Sequence, residues 1–255
     1  MWWSIKGMGG SAFVTCTDGE TVLKGYQVWE GGKIRAKFEE SSEEELSREN
    51  QIYELLGEHP QILKCFGLEE VHTGIFSLRL ELASLASVRG YIETNPDNPP
   101  PLQTRSQMAL DVATGIAYIH SCGVWHSDIS CRNFFLFSDF RVKIGDFGGS
   151  LVQGQNFRAS VCEEPEYELP CRGRDFQARP RIKRELFALG TGLYEIIAWA
   201  RLFPGSSEDD VDNFLSDEKF PPLEGVLLGN VIHGCWNELY NSAEDVVRDL
   251  SVPSL

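Results

Sequence analysis

The stretch of residues 126–148, HSDISCRNFFLFSDFRVKIGDFG, constrains the fold of this chain more than any other part of the sequence. Residues 134–137 and 141–144 are rich in apolar side chains, and Ser138 and Asp139 between them are typical of a turn. The pattern predicts a hairpin of two short strands. Because a hairpin brings its two ends together, the residues just before it and just after it share one edge.

Three polar residues occupy those two ends. Asp128 and Asn133 precede the predicted hairpin, and Asp146 follows it. We therefore expect the three side chains to face a common point. Two carboxylates and one amide oxygen suit a hard cation such as Mg²⁺, which keeps several waters and takes substrate phosphates as further ligands.

An interrupted apolar stripe marks a second candidate site. Residues 42–56 predict a helix, because a Ser-x-x-Glu capping box opens the segment and a glycine follows its last apolar position. Glu49 breaks the apolar stripe of this helix. A buried carboxylate without a cationic partner is very costly, so we expect Glu49 to pair with Lys24, at the end of a predicted strand over residues 21–24.

Composition disfavours several classes of protein. A formal net charge of −15 disfavours nucleic acid and anionic membranes as partners. The seven cysteines include no C-x-x-C pair and are odd in number, which indicates a reducing compartment rather than a disulfide framework or a zinc site. The N-terminus lacks the pattern of a signal peptide, and the most apolar segment, residues 186–200, is shorter than the roughly 20 residues of a membrane span. We expect a cytoplasmic or nuclear monomer.

The 126–148 stretch resembles the H-R-D-x-x-x-x-N catalytic loop and the D-F-G metal-binding loop of the eukaryotic protein kinase family. The resemblance extends from Gly7 to Leu250. It implies a single α+β, bilobal kinase domain over residues 1–255. Residues 1–82 form a small lobe of antiparallel sheet and one main helix, residues 83–87 a hinge, and residues 88–255 a larger, mainly helical lobe. It also implies ATP, Mg²⁺ with Mn²⁺ as the alternative, and a protein substrate.

The resemblance assigns the ATP contacts of the small lobe. Three residues match the glycine loop that covers the ATP phosphates: Gly7, Gly9 and Val14. Ala12 replaces the third glycine of that loop. Lys24 is similar to the family's phosphate-pairing lysine, with Lys37 as a rival, and Glu49 to the helix glutamate that pairs with this lysine. Three further residues fall where the family contacts the adenine or limits access behind it: Leu80, Glu81 and Ala83.

In the catalytic loop, the resemblance assigns Asp128 to orient the attacking hydroxyl and accept its proton, and Asn133 and Asp146 to hold magnesium at the ATP phosphates. Ser127 replaces the usual arginine, so we expect an activity that does not depend on phosphorylation of the activation loop. Arg132, four residues after Asp128, resembles the arginine of the tyrosine-kinase version of this loop. Its expected role is to neutralise the transferred phosphate, and lining the loop is the alternative.

The C-terminal half departs from the family pattern at two positions. Glu185, just before the apolar helix of residues 186–200, stands where the family has an aspartate, and the arginine expected near Asn241 is missing. In the match to the A-P-E motif, Glu166 would be the partner of that arginine, so we expect Arg172, Arg174 or another base in its place. Six basic residues form an island that is either a solvated face or a surface that steers an acidic substrate segment. They are Arg172, Arg174, Arg179, Arg181, Lys183 and Arg184.

Three functions stay open at this level. The leading interpretation is an ATP-dependent protein kinase acting on serine or threonine. Tyrosine is the alternative acceptor, because the loop DISCRN resembles that of tyrosine kinases. The second is a pseudokinase that serves as an ATP-binding or scaffolding module, which the departures from the family pattern favour. The third is a small-molecule kinase, which the matches around Glu166 and Cys235 disfavour.

Overall fold

The computed structural model describes residues 4–8, 12–16, 18–38, 41–154 and 163–252. Its N-terminal part is a sheet with one helix, and its C-terminal part is mainly helical. The predicted α+β architecture, with a small sheet-rich part and a larger helical part, is therefore confirmed. None of the helices in these ranges combines the length and apolar character needed to cross a bilayer.

The elements of the small lobe are β1 (Ser4–Met8), β2 (Phe13–Cys16), β3 (Thr21–Gly25), β4 (Gln27–Glu30), β5 (Lys33–Lys37), α1 (Ser41–Leu56), β6 (Cys65–His72) and β7 (Ile75–Glu81). Five strands form an antiparallel sheet in the order β1-β2-β3-β7-β6, and β4 pairs with β5 in a separate hairpin. The central strand, β3, carries the buried side chains of Val22 and Leu23. Lys24 follows them and pairs with Val14 on β2 and Leu78 on β7. The sheet thus holds this lysine at its middle.

Helix α1 packs against β6 and β7. Its buried side chains include those of Leu46, Ile52 and Leu56. The helix begins at Ser41, one residue earlier than predicted, so Ser42 lies inside the first turn and not at the N-cap position. Gly57 ends the helix as predicted: its φ is +62°, a conformation that favours glycine, and its N–H donates to a carbonyl of the last turn.

The elements of the large lobe are α2 (Val88–Thr94), α3 (Leu102–Ser121), β8 (Val124–Trp125), β9 (Phe134–Leu136), β10 (Val142–Ile144), β11 (Leu151–Val152), α4 (Arg181–Ala198), α5 (Glu208–Ser216), α6 (Gly229–Trp236) and α7 (Ala243–Leu250). A capping-box pattern, Thr104 followed by Gln107, predicts from the sequence that a helix starts at Thr104, but α3 begins directly after Pro101. Proline has a backbone angle that suits a helix start and no N–H to leave unpaired there. Helix α7 has a side-chain cap, since Ser242 accepts from the backbone N–H of Asp245 at 3.2 Å.

Helix α4 is the buried centre of the large lobe and packs against α3 and α6. A glycine in its middle brings the hairpin of β9 and β10 close. A Cβ atom at Gly192 would lie 2.8 Å from Cε2 of Phe134, the first residue of β9. The absence of a side chain at this position therefore seats the hairpin directly on α4.

Candidate active site

The predicted hairpin is present, with shorter strands than predicted. β9 and β10 pair antiparallel, with Phe134 opposite Ile144. Both residues are fully buried, which fixes the hairpin in the core. Just beyond this pair, the N–H of Gly145 donates to the carbonyl of Asn133 at 3.1 Å. The catalytic-loop end and the Asp146 end of the stretch are therefore adjacent, as the sequence predicts.

Asn133 fixes one side of Asp128. Its Nδ2 donates to the backbone carbonyl of Asp128 at 2.8 Å and to Oδ2 of the same residue at 2.9 Å. Within the described ranges, the buried Oδ1 of Asp128 has no hydrogen-bond partner. Burial raises the pKa of Asp128 to about 6, although His126 and the hydrogen bond from Asn133 act in the opposite direction.

Lys24 joins two carboxylates that come from distant parts of the chain. Its Nζ lies 2.7 Å from Oε2 of Glu49 and 2.6 Å from Oδ1 of Asp146. The predicted pairing with Glu49 is confirmed, and the Glu49 side chain is only 1% exposed. Lys37, the rival lysine, lies exposed at the end of β5 in the separate hairpin and is not part of this cluster.

The charges of this cluster depend on one another. Burial favours the neutral form of Lys24, but the carboxylates of Asp146 and Glu49 outweigh burial and raise the pKa of the lysine. Burial likewise opposes ionisation of Asp146, yet Lys24 holds the pKa of that carboxyl below its usual range. Glu49, the most enclosed of the three, has a pKa raised by burial. The cluster thus holds an ammonium ion in a fixed position.

The backbone turns sharply at Asp146. Its φ is +62°, which is uncommon for a residue other than glycine. The following side chain, Phe147, is fully buried, and its ring meets that of Tyr53 on α1 edge to face at 5.0 Å between centroids. The N–H of Phe147 also donates to Oε1 of Glu49 at 3.2 Å. These contacts connect the segment that carries Asp146 to α1.

Glu185 binds the backbone of the loop that carries Asp128. Its two carboxylate oxygens accept from the backbone N–H groups of Ser127 at 2.7 Å and His126 at 3.1 Å, and Nε2 of His120 lies 3.0 Å from Oε2. Burial opposes the charge of Glu185, but the contact with His120 and the other donors lowers its pKa. A glutamate at this position therefore binds the loop backbone directly.

Arg132 is 55% exposed, and its Nε lies 2.7 Å from Oε1 of Glu164. Oε2 of Glu164 accepts from Arg89 at 3.2 Å, and Arg89 makes two hydrogen bonds, at 2.7 and 2.9 Å, to the fully buried Glu195 on α4. Arg89 was not predicted from the sequence. The signal was Glu195 itself, because a carboxylate inside an apolar helix requires a cation.

The partner of Glu166 is Arg201, whose Nη2 lies 2.9 Å from Oε1 of the glutamate. Arg172 and Arg174, the bases named in the sequence analysis, pair instead with Glu238 at 2.9 and 2.7 Å. Arg201 follows α4, so the contact depends on how the chain leaves that helix.

The basic island consists mainly of internal contacts. Arg179 is buried and lies 3.0 Å from a carboxylate oxygen of Glu168. Arg184 lies 2.6 Å from Glu163, and Lys183 donates to backbone carbonyls after α6. Most of these basic side chains are therefore used in contacts within the protein. This disfavours the interpretation that the island steers an acidic substrate segment.

Of the remaining predicted ATP contacts, Gly7 lies on β1, Val14 on β2, and Leu80 and Glu81 on β7. Val14 pairs with Gly7 on one side and with Lys24 on the other. Gly9 lies outside the described residues. Leu80 is buried near the end of β7, Ala83 follows the strand, and the Glu81 side chain pairs with Lys143 at 2.7 Å. The carboxylate of Glu81 is therefore used within the protein, and so is its backbone N–H, which donates to the carbonyl of Lys64 at 3.0 Å.

Comparison with known proteins gives a consistent picture. Residues 22–250 match the family model described as protein kinase domain. The dual specificity protein kinase shkE of Dictyostelium discoideum is 27% identical over 254 residues, covering 88% of this chain and 35% of that protein. The serine/threonine-protein kinase LMTK3 of Mus musculus is 32% identical over 172 residues, covering 64% and 11%. The serine/threonine/tyrosine-protein kinase HT1 of Arabidopsis thaliana is 24% identical over 215 residues, covering 81% and 52%. The chain thus spans between about a tenth and about half of these relatives.

Proposed function

This chain belongs to the protein kinase domain family, and from that premise we propose that it transfers the γ-phosphate of ATP to serine or threonine hydroxyls of protein substrates, with tyrosine as the alternative acceptor. The observation that carries the proposal is the state of Asp128. One of its oxygens is fixed by Asn133, while the other is buried and lacks a hydrogen-bond partner among the described residues. A carboxylate oxygen held in this way suits the proton of an attacking hydroxyl.

The side chains beside Asp128 fit a divalent cation. The amide nitrogen of Asn133 is committed to Asp128, so its carbonyl oxygen is the atom left for a metal ion. Asp146 adds a carboxylate. Oxygen ligands of this kind suit Mg²⁺, with Mn²⁺ as the alternative. A divalent ion supplies charge neutralisation at the phosphate oxygens when it is bound.

Lys24 and the nearby strands are the proposed ATP site. Glu49 holds the lysine ammonium in place, and Lys24 then pairs with the phosphates. Gly7, Gly9 and Val14 cover the phosphates in this proposal. Leu80 limits the space behind the adenine, and the backbone of Glu81 and Ala83 binds its edge.

Asp128 acts on the attacking hydroxyl, and Arg132 acts on the transferred phosphate. The carboxylate of Asp128 orients the substrate hydroxyl and accepts its proton as the new oxygen–phosphorus bond forms and the bond to ADP breaks. With a pKa of about 6, this carboxylate is mostly ionised at neutral pH. Arg132 exchanges Glu164 for the transferred phosphate and neutralises its charge.

The acceptor and the control of the enzyme are finer points of the proposal. The relatives carry serine/threonine, dual-specificity and serine/threonine/tyrosine names, which supports both kinds of acceptor. Because Ser127 offers no cation to a phosphorylated loop, we expect activity to persist after phosphatase treatment. Loss of activity on dephosphorylation would contradict this point alone. The free thiols of the described residues support a reducing compartment, either cytoplasm or nucleus.

The test compares wild type, Asp128→Asn and the matched control Asp139→Asn, which alters an exposed aspartate in the hairpin turn. Each is incubated with labelled ATP, Mg²⁺ or Mn²⁺ and a peptide library that contains serine, threonine and tyrosine. We expect transfer by wild type and Asp139→Asn, and a loss of at least about 10²-fold in Asp128→Asn. If Mg-ATP stabilises all three proteins against heat but none of them transfers phosphate, the pseudokinase alternative replaces the proposal. If phosphate is transferred to a metabolite but to no peptide, the small-molecule kinase alternative replaces it.

A further inference from the structure

A series of four alternating charges connects Arg132 in the catalytic loop to the interior of helix α4. Arg132 contacts Glu164, Glu164 contacts Arg89, and Arg89 binds Glu195 on α4. Glu164 is the shared member of this series, because each of its two carboxylate oxygens faces a different arginine. The protein holds these two arginines with very different firmness.

Arg89 is firmly held. Its side chain is only 6% exposed, and its Nε and Nη2 donate to the two carboxylate oxygens of the buried Glu195 at 2.9 and 2.7 Å. Its Nη1 donates to Oε2 of Glu164 at 3.2 Å, and its backbone N–H donates to the carbonyl of Cys131 at 2.9 Å. Separating a buried guanidinium from its carboxylates is costly, so Glu164 stays where Arg89 holds it.

Arg132 is held loosely. Its side chain is 55% exposed, whereas that of Glu164 is 10% exposed. Nε of Arg132 lies 2.7 Å from Oε1 of Glu164, yet among the residues that the structure describes this oxygen accepts no hydrogen bond. The contact is therefore an ion pair without hydrogen-bond alignment. Because an ion pair with an exposed partner contributes little free energy, Arg132 can leave Glu164.

A cavity of about 500 Å³ lies beside this loose contact, at the edge of the catalytic loop. The charged residues of its wall are Arg89, Glu93, Arg132, Glu164, Glu166 and Arg201. Glu166 and Arg201 pair with each other, and Arg132 contacts Glu164 rather than Glu93. Arg132 thus has space into which its side chain can move when it leaves Glu164.

We propose that Glu164 is a positioning residue that weakens the hold of Arg132 on the transferred phosphate and thereby favours release of the phosphorylated product. The carboxylate competes with the phosphate for the same guanidinium, and Arg89 keeps Glu164 in place while Arg132 is bound to the phosphate. When the phosphorylated peptide leaves, Arg132 returns to Glu164. This inference rests on the proposed function, in which Arg132 neutralises the transferred phosphate.

Competition for Arg132 fixes the direction of the expected effect. Removal of the Glu164 charge frees the guanidinium for the phosphate, so the phosphorylated product should bind more tightly. Loss of an exposed competing ion pair corresponds to a change of about two- to sixfold in Kd. The unphosphorylated peptide brings no phosphate to Arg132, so its Kd should stay the same. A residue that only stabilises the fold would alter both affinities alike.

The test measures Kd by isothermal titration calorimetry, in the presence of Mg-ADP, for a peptide that wild type phosphorylates and for its phosphorylated form. The proteins are wild type, Glu164→Gln and the matched control Glu168→Gln, which alters a carboxylate of the same segment that pairs with Arg179. We expect about two- to sixfold tighter binding of the phosphorylated peptide to Glu164→Gln only, with the unphosphorylated peptide unchanged. An unchanged or larger Kd for the phosphorylated peptide, or equal changes for both peptides, would overturn the proposal.

A second variant keeps the test independent of the glutamine side chain. Glu164→Ala removes the carboxylate without adding an N–H donor that faces Arg89, and it should tighten binding of the phosphorylated peptide as Glu164→Gln does. In an Arg132→Gln protein, Glu164→Gln should no longer change this Kd. Tightening that persists without Arg132 would show that Glu164 does not act through the arginine, and would refute the proposal.

The outcomes separate this inference from the proposed function. If wild type phosphorylates no peptide, the proposed function fails and the inference fails with it. If wild type transfers phosphate but the Glu164 variants bind the phosphorylated peptide no more tightly, only the role given to Glu164 is wrong.

Discussion

At the scale of single residues, Asp128 has an environment that sets a pH dependence. Burial raises its pKa to about 6, above the roughly 3.9 of an unfolded chain. The carboxyl therefore becomes protonated at a higher pH in the folded protein than in the unfolded chain. In the proposed mechanism, a protonated Asp128 cannot accept the proton of the substrate hydroxyl. We therefore predict that kcat/KM for a peptide falls about tenfold per pH unit below about pH 6. Rates from about pH 5 to 8 test this, with ATP binding measured in parallel, and a constant kcat/KM down to about pH 5 would contradict it.

Glu185 supports a prediction about stability. Glu185→Gln replaces an acceptor oxygen by an NH₂ group that faces backbone N–H groups of the catalytic loop, and we expect a loss of about 2–3 kcal/mol in the free energy of unfolding at neutral pH. Urea unfolding of this variant is compared with Glu93→Gln, a change on the exposed side of α2. A result within about 0.5 kcal/mol of that control would show that the loop does not depend on the carboxylate.

The same residue predicts how stability varies with pH. The pKa of Glu185 is lower in the folded protein than in the unfolded chain, so its contribution is complete above the unfolded value near 4.5 and is lost as the pH falls through the folded value. The difference in the free energy of unfolding between wild type and Glu185→Gln should therefore be constant near neutral pH. It should decrease only as the pH falls below about 4.5.

Side-chain pairs differ in how far the sequence predicts them. The Lys24–Glu49 pair was predictable, because a carboxylate inside an apolar stripe needs a cation and a lysine ends a nearby strand. Glu195 gave the same signal, but nothing in the sequence points to Arg89, which lies 106 residues away along the chain. The Arg201–Glu166 contact depends on the path of a loop, which has no local pattern.

At the scale of elements, periodic segments were predictable, but only some of their ends were. The hairpin of β9 and β10 and the helices α1, α3 and α4 follow from alternating or helical apolar patterns. The start of α3 was missed because the proline run replaces a side-chain cap. The role of the basic island could not be decided from the sequence, because composition does not reveal which carboxylates pack against its side chains in the folded protein.

An ion pair between two elements gives the next prediction. Arg174, in the segment before α4, donates from Nη1 and Nη2 to both oxygens of Glu238 in the loop after α6, at 2.9 and 2.7 Å. The hydrogen bonds from Arg174 lower the pKa of Glu238. We expect Glu238→Arg to destabilise the protein by about 1–2 kcal/mol, because it places like charges together.

A double-mutant cycle isolates this contact. Arg174→Glu combined with Glu238→Arg should recover part of the loss in thermal unfolding, since the reversed pair restores one attraction. Recovery is incomplete because Arg172, the second partner of Glu238, then faces a like charge. Additive destabilisation in the double variant would show that the two side chains do not interact in solution. Lys219→Asp combined with Asp217→Lys, which reverses an exposed pair after α5, is the control and should have little effect.

At the scale of the whole molecule, the segment between α1 and β6 joins the two lobes. The N–H of Ile144 on β10 donates to the carbonyl of Gln61 at 2.8 Å, and the carbonyl of Ile144 accepts from Leu63. The ring of His59 stacks on that of Tyr118 on α3, with 3.9 Å between centroids. This segment is thus held by the large lobe, although the sequence before and after it belongs to the small lobe. The position of α1, and with it Glu49, is set partly from the large lobe.

Gly115 on α3 is where this contact between lobes is tightest. A Cβ atom there would lie 2.7 Å from Cδ1 of Ile144 and 3.2 Å from Gln61, so we expect Gly115→Ala to cost about 1–3 kcal/mol in urea unfolding despite the higher helix propensity of alanine. Gly90→Ala on α2 is the matched control, because its nearest neighbour is the Oγ atom of Ser87 at 3.4 Å, and it should be neutral or stabilise by up to about 1 kcal/mol. Gly115→Ala should also speed hydrogen exchange of residues 57–64. If both alanines stabilise the protein equally, α3 does not press against this segment in solution, and the large lobe does not position α1 through it.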